Sequence, residues 1–93
     1  RKRVDLSLSV GLTLAKDGDI SAVEWDSAAF KAGLTNGDVI VAVGSTTYSP
    51  EKLKDAITAA KGGTAPITLT VRRGERLRSV AIDYHGGLRY PHL

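Results

Sequence analysis

The segment from Ser9 to Thr46, SVGLTLAKDGDISAVEWDSAAFKAGLTNGDVIVAVGST, constrains the fold more than any other part of this chain. An apolar-Gly-apolar turn, Val10-Gly11-Leu12, runs directly into a strand. Lys16-Asp17-Gly18-Asp19 reads as a hairpin turn, because Asp-Gly suits the positive φ values that tight hairpins require. Ile20 to Trp25 is the returning strand. Asp26-Ser27 can cap a short helix over Ala28 to Ala32 by accepting from its free N–H groups. Gly33 then stops the helix in the left-handed conformation, and Leu34 packs back onto it. Asn36-Gly37 turns the chain into a mostly buried strand carrying Val39, Ile40, Val41 and Val43.

The flanks extend the pattern. Val4, Leu6, Leu8, Val10, Leu12 and Leu14 alternate with small or polar residues, which predicts a half-buried strand, or two strands with a bend at Gly11. Ser49-Pro50 is a strong helix start, and Leu53, Ala56, Ile57 and Ala60 fall on one face of the helix that follows. Gly62-Gly63 stops it. Ile67, Leu69 and Val71 alternate as a strand, Arg73-Gly74-Glu75 turns, and Val80, Ile82 and Tyr84 return. Leu77 is out of phase with these three, which predicts a bulge near Arg78-Ser79. The fold class is mostly β with two helices: five or six short strands in a partly open β-barrel or sandwich, capped by one short and one longer helix. The domain covers residues 1–84. Residues 85–93, with Gly86, Gly87 and Pro91, read as a tail that begins a segment continuing in a longer parent protein.

At 93 residues with 42% hydrophobic content, the chain is one globular domain. Cysteine is absent, so disulfides and thiolate metal sites are excluded. No apolar run approaches the roughly 20 residues that a membrane-spanning helix needs. No signal peptide is visible, and the start at Arg1-Lys2-Arg3 and the stop at His92-Leu93 suggest a piece of a longer protein. The net charge of +3 collects at Arg1-Lys2-Arg3 and at Arg72, Arg73, Arg76 and Arg78. With no aromatic residues interleaved to stack bases, this reads as a solvated hairpin and chain end instead of a nucleic-acid surface.

An active site is hard to assemble. His85 and His92 belong to no H-E-x-x-H helix, and they are expected to be surface or interface residues. No serine lies in a G-x-S-x-G elbow, and nothing supports a triad of Ser45 or Ser79 with His85. Asp17 and Asp19 lie in a turn, where carboxylates are solvated. Gly62-Gly63-Thr64 follows a helix and so lacks the N-terminus that a phosphate loop needs. A binding site has firmer grounds. A turn at Val10-Gly11-Leu12 leaves successive N–H groups pointing outward, a nest for an anion such as a terminal carboxylate. The strand from Leu12 to Ala15 would offer an open edge, to which a ligand adds as a further strand. The helix from Pro50 to Lys61 would form the other wall of the groove.

The order of the apolar-Gly-apolar turn, the short helix ending Ala32-Gly33-Leu34 before Gly37-Asp38, and the late amphipathic helix resembles a PDZ domain over nearly the whole chain. Three strings, Val10–Val23, Trp25–Leu34 and DYHGGLRYPHL over Asp83–Leu93, are similar to the C-terminal PDZ domain of bacterial glycyl-aminopeptidase-like zinc metallopeptidases. Ala28, where that family usually has proline, and Gly44-Ser45, where it has Asn-Gly, depart from its pattern. The resemblance implies a carboxylate-binding loop of Val10, Gly11 and Leu12. It implies a peptide groove of Leu12, Thr13, Leu14, Leu53, Ile57 and Ala60. Leu53 stands where many PDZ domains place a histidine, so an apolar ligand residue is expected two positions before the ligand's end. The implied role is non-catalytic: peptide binding, substrate positioning or regulation, with docking onto a catalytic domain of the same chain as the alternative. No cofactor is expected in these residues. The zinc would belong to the catalytic domain, and the family's habit is periplasmic or secreted.

Overall fold

A computed structural model of the chain describes residues 3–90. Arg1 and Lys2 of the basic start, and the tail end from 91 to 93 with His92, lie outside the described residues. The chain runs β1 (Arg3–Leu6), β2 (Leu12–Ala15), β3 (Ile20–Val23), α1 (Ala28–Lys31), β4 (Val39–Val43), β5 (Thr46–Thr47), α2 (Pro50–Ala59), β6 (Ile67–Arg73) and β7 (Arg76–Ile82). One sheet has the order β1-β2-β3 and the other β5-β4-β6-β7, with every pairing antiparallel. The sheets meet where Ile20 N–H donates to Asp38 O (2.9 Å) and Ile40 N–H donates to Gly18 O (2.9 Å). Gly18 has φ +96°, and the Ile40 carbonyl lies where its Cβ would stand, so only glycine fits this junction. The inward side chains of both sheets, with Leu53 and Ile57 of α2 and Ala29 of α1, form one core.

The helix signals act as read. The Ser27 hydroxyl accepts from Phe30 N–H (3.1 Å) and the Ser49 hydroxyl from Lys52 N–H (3.1 Å). Gly33 has φ +91°, and Leu34 packs back with 3% exposure. The early alternation resolves into two strands, β1 and β2, with the turn beginning at Ser7, well before Gly11. Leu8 lies in that turn and is half exposed. The bulge expected at Arg78-Ser79 is absent: β6 and β7 pair without interruption from Ile67 opposite Ile82 to Arg73 opposite Arg76. Leu77 stays in register and faces solvent. The register shifts fall instead between Thr13 and Leu14 and between Ile40 and Ala42. The last strand ends at Ile82, before Tyr84.

The basic hairpin is not merely solvated, since two of its arginines, Arg73 and Arg78, are bonded to Asp38. Asp38 is fully buried, and its carboxylate accepts from Arg73 Nε (2.7 Å), Arg78 Nη2 (2.8 Å) and Thr35 N–H (3.1 Å). Burial alone raises the pKa of this carboxyl, but the hydrogen bonds from Arg73, Arg78 and Thr35 outweigh it and hold it far below the usual carboxylate range. A depressed folded pKa contributes stability above the unfolded value near ~3.9 and loses it as pH falls through the folded pKa. Asp38→Ala is expected to cost about 3 kcal/mol by urea denaturation. In Asp38→Asn, the fall in the unfolding midpoint on acidification below pH ~4 is expected to flatten relative to wild type.

Candidate functional site

The turn between β1 and β2 is built to hold an acceptor. Gly11 has φ +94°, and a Cβ there would collide with the Ser27 side chain, so conformation and packing both demand glycine. The Val10 carbonyl accepts from Ala29 N–H (2.9 Å) and the Gly11 carbonyl from Glu24 N–H (2.8 Å), which fixes the turn to α1 and the end of β3. So anchored, the turn aims Ser9 N–H (3.1 Å) and Gly11 N–H (2.9 Å) at one atom, the carbonyl oxygen of Leu6. These convergent donors form a nest of the kind that binds a carboxylate, but its occupant comes from this chain.

The open edge expected at Leu12–Ala15 is covered. Both edges of β2 are paired, to β3 on one side and to β1 on the other. Arg3 lies opposite Ala15, Val4 opposite Leu14, Asp5 opposite Thr13 and Leu6 opposite Leu12. Facing residues in an antiparallel ladder share a sheet face. Val4 and Leu6 therefore enter the core beside Leu14 and Leu12, and Leu6, Leu12, Leu14, Leu53 and Ile57 all have 0% exposure. Burial of a Val or Leu side chain contributes about 2 kcal/mol, which is why the edge closes. Val10 is also fully buried, and Thr13 is partly so on the outward face, its carbonyl accepting from the Ser21 hydroxyl (3.2 Å). Ala60 touches only the margin of the core. It lines a separate apolar cavity of about 260 Å³ with Val43, Ala56, Ala59, Pro66 and Ile67.

No family model and no curated protein matches the sequence. Among solved structures, the chain is similar to the HtrA3 PDZ domain bound to a phage-derived ligand, FGRWV. The TM-score is 0.64 at 22% identity, covering 90% of this chain and 78% of that one. The fold is that of a PDZ domain. Two sheets of three and four strands, not closed into a barrel, with two helices, make up its PDZ architecture.

The tail completes the PDZ core. After β7 the chain folds back over the end of α2: Gly62 N–H donates to His85 O (3.1 Å), and Leu88 packs on the core. Gly86 passes so close to the Tyr84 ring that a Cβ would lie 2.7 Å from its hydroxyl oxygen. That hydroxyl donates to Gly87 O (2.7 Å). Arg89 N–H then reaches the Ser9 hydroxyl (3.0 Å), tying the tail to the turn that holds Leu6. His85 places Nδ1 2.9 Å from the Ala60 carbonyl and Nε2 2.7 Å from the Asp83 carboxylate, so neither Ser45 nor Ser79 is its partner. Both of its partners only accept, so the protonated imidazole alone satisfies both. The Ala60 carbonyl, then the Asp83 carboxylate, raise its pKa above the ordinary histidine value. Sequence reading missed β1 as occupant and Ser9 as link. Of the two glycines in the D-Y-H-G-G string, Gly86 passes against the Tyr84 ring and Gly87 against the Lys61 side chain.

Leu6→Ala is expected to destabilise the domain by about 3 kcal/mol, whereas Leu8→Ala, in the exposed part of the turn, changes the denaturation midpoint within about 0.5 kcal/mol. A raised histidine pKa gives stability that is complete below the unfolded value near ~6.5 and declines as pH rises through the folded one. The melting-temperature gap between wild type and His85→Ala is therefore expected to be wider at pH 5.5 than at pH 8.5.

Proposed function

We propose that this chain is a peptide-binding module that takes an extended segment as an added strand on β2. The segment's two inward apolar residues face Leu12 and Leu14, and its end lies on the N–H groups of Ser9 and Gly11. The observation that carries this reading is the seating of β1, whose ladder, side-chain pockets and bound carbonyl have the form of a captured peptide. The PDZ fold supports it, as does the peptide ligand of the HtrA3 domain. In this reading Val10, Gly11 and Leu12 form the carboxylate-binding loop. Leu12, Thr13, Leu14, Leu53 and Ile57 form the groove, with Ala60 at its margin.

The three strings noted in the sequence support a narrower placement: a non-catalytic domain of a bacterial zinc metallopeptidase of the glycyl-aminopeptidase kind. There it would position or restrict substrate for a catalytic domain that holds the zinc. A periplasmic or secreted setting accords with that placement. One observation favours a second reading, a docking domain with no free ligand: the groove is already filled by β1.

The two readings differ in a titration. A peptide with a free C-terminus ending Arg-Val-Asp-Leu is added at millimolar concentration to the ¹⁵N-labelled domain. Peptide capture predicts shifts centred on the Leu12–Ala15 amides. It also predicts at least tenfold weaker binding when the peptide's Val is replaced by Ser, because fully buried Leu53 leaves the hydroxyl unpartnered. Unchanged spectra would favour docking, and tighter binding of the Ser peptide would contradict the assigned pocket.

A further inference from the structure

We propose that Arg3–Leu6 is a tethered ligand. It occupies in cis the groove that a peptide from another molecule enters, and binding in trans requires β1 to leave. This rests on the peptide-binding reading above. β1 lies antiparallel along β2, with Val4 and Leu6 turned into the core and Arg3 and Asp5 exposed. The Leu6 carbonyl takes both N–H groups of the nest. An internal segment can imitate a chain end only if the chain leaves the groove at once, and Asp5 arranges that departure. Its carboxylate accepts from the Ser7 N–H (3.0 Å) and the Ser7 hydroxyl (2.6 Å), turning the backbone away directly after Leu6.

Replacing β1 by a peptide exchanges a strand ladder for a strand ladder and two apolar side chains for two others. Two differences decide the competition. The short tether gives β1 an effective concentration of millimolar order or more, which favours the closed groove. A free peptide brings a carboxylate where β1 brings a neutral carbonyl, and hydrogen bonds to the ionised group are roughly twice as strong. The groove thus selects free C-termini with apolar residues at the last and third-from-last positions. Internal segments, which offer the nest only what β1 already offers, are excluded. The apparent affinity of any such ligand is reduced by the fraction of molecules in which β1 is out.

The test is a reversible lock. Arg3 and Ala15 face each other at the end of the ladder away from the nest, and the chain has no native cysteine. In R3C/A15C, oxidation fixes β1 on β2 and reduction frees it, with the core side chains intact. The probe is the synthetic peptide RKRVDL with a free carboxylate, and its amide as control. The reduced form is expected to bind the acid at least tenfold more tightly than the oxidised form, and the acid more tightly than the amide. V4D/L6D, which expels β1, is expected to bind at least tenfold more tightly than wild type. The lock comparison stands even if that variant does not fold. Equal binding by the oxidised and reduced forms overturns the tethered ligand and leaves the peptide groove intact. No binding in either state, nor by folded V4D/L6D, refutes the groove itself and the tethered ligand with it.

Discussion

The carbonyl oxygen of Leu6 receives two N–H groups from the turn that follows it, Ser9 and Gly11, and the surrounding structure is arranged about that contact. Gly11 can aim its N–H there only at positive φ and only without a Cβ, because Ser27 stands against it. The outward carbonyls of Val10 and Gly11 are held by Ala29 and Glu24, so the turn is anchored to α1 and the end of β3 as well as to β1. This anchorage matters for function. A nest supported from behind retains its donors when its acceptor changes, whereas one supported only by β1 would collapse with it.

Ser9 joins the two ends of the described chain at this point. Its N–H donates to Leu6 and its hydroxyl accepts from Arg89, so the occupant of the groove and the folded-back tail share one residue. The tail is in turn held at the end of α2 by His85 and Gly62. Buried Asp38 joins the start of β4 to Arg73 and Arg78 of the last hairpin. The two titrating links have opposite signs. The Asp38 cluster loosens as acid protonates it, and the His85 clamp loosens as base deprotonates it. The domain is therefore tied most firmly between these limits.

The sequence was most legible where the determinant is local. Ser27 and Ser49-Pro50 start helices, Gly33 and Gly62 stop them, and Asp17-Gly18 turns a hairpin through chemistry contained within a few residues. The phase of Leu53 and Ile57 on α2 gave their burial directly. Alternation from Val4 to Leu14 was ambiguous for a physical reason. Period two reports which face a residue takes, not whether the strand doubles back, so it carried Leu8 into a face that the turn removes. Leu77 suggested a bulge only on the premise that an apolar residue must be inside, and a single exposed leucine is ordinary. The links that tie the last hairpin and the tail to the rest of the domain are long-range. Arg73 and Arg78 reach Asp38 from 35 and 40 residues away, Arg89 reaches Ser9 from 80, and no local pattern records such pairings. The covering of β2 is local by comparison, since β1 and β2 are consecutive strands, but alternation alone does not record that β1 doubles back along β2.

Self-occupancy of the groove depends on one hydrogen-bonded geometry in solution, the Gly11 amide on the Leu6 carbonyl with β1 laid along β2. It is tested most directly by measuring the scalar coupling transmitted through that bond, between the Gly11 nitrogen and the Leu6 carbonyl carbon, in the ¹³C,¹⁵N-labelled domain. A resolvable coupling is expected, together with slow exchange of the Gly11 amide proton. No coupling, with the Gly11 proton exchanging as fast as an exposed amide, would mean that the nest is empty and β2 has a free edge, and would contradict the seating of β1.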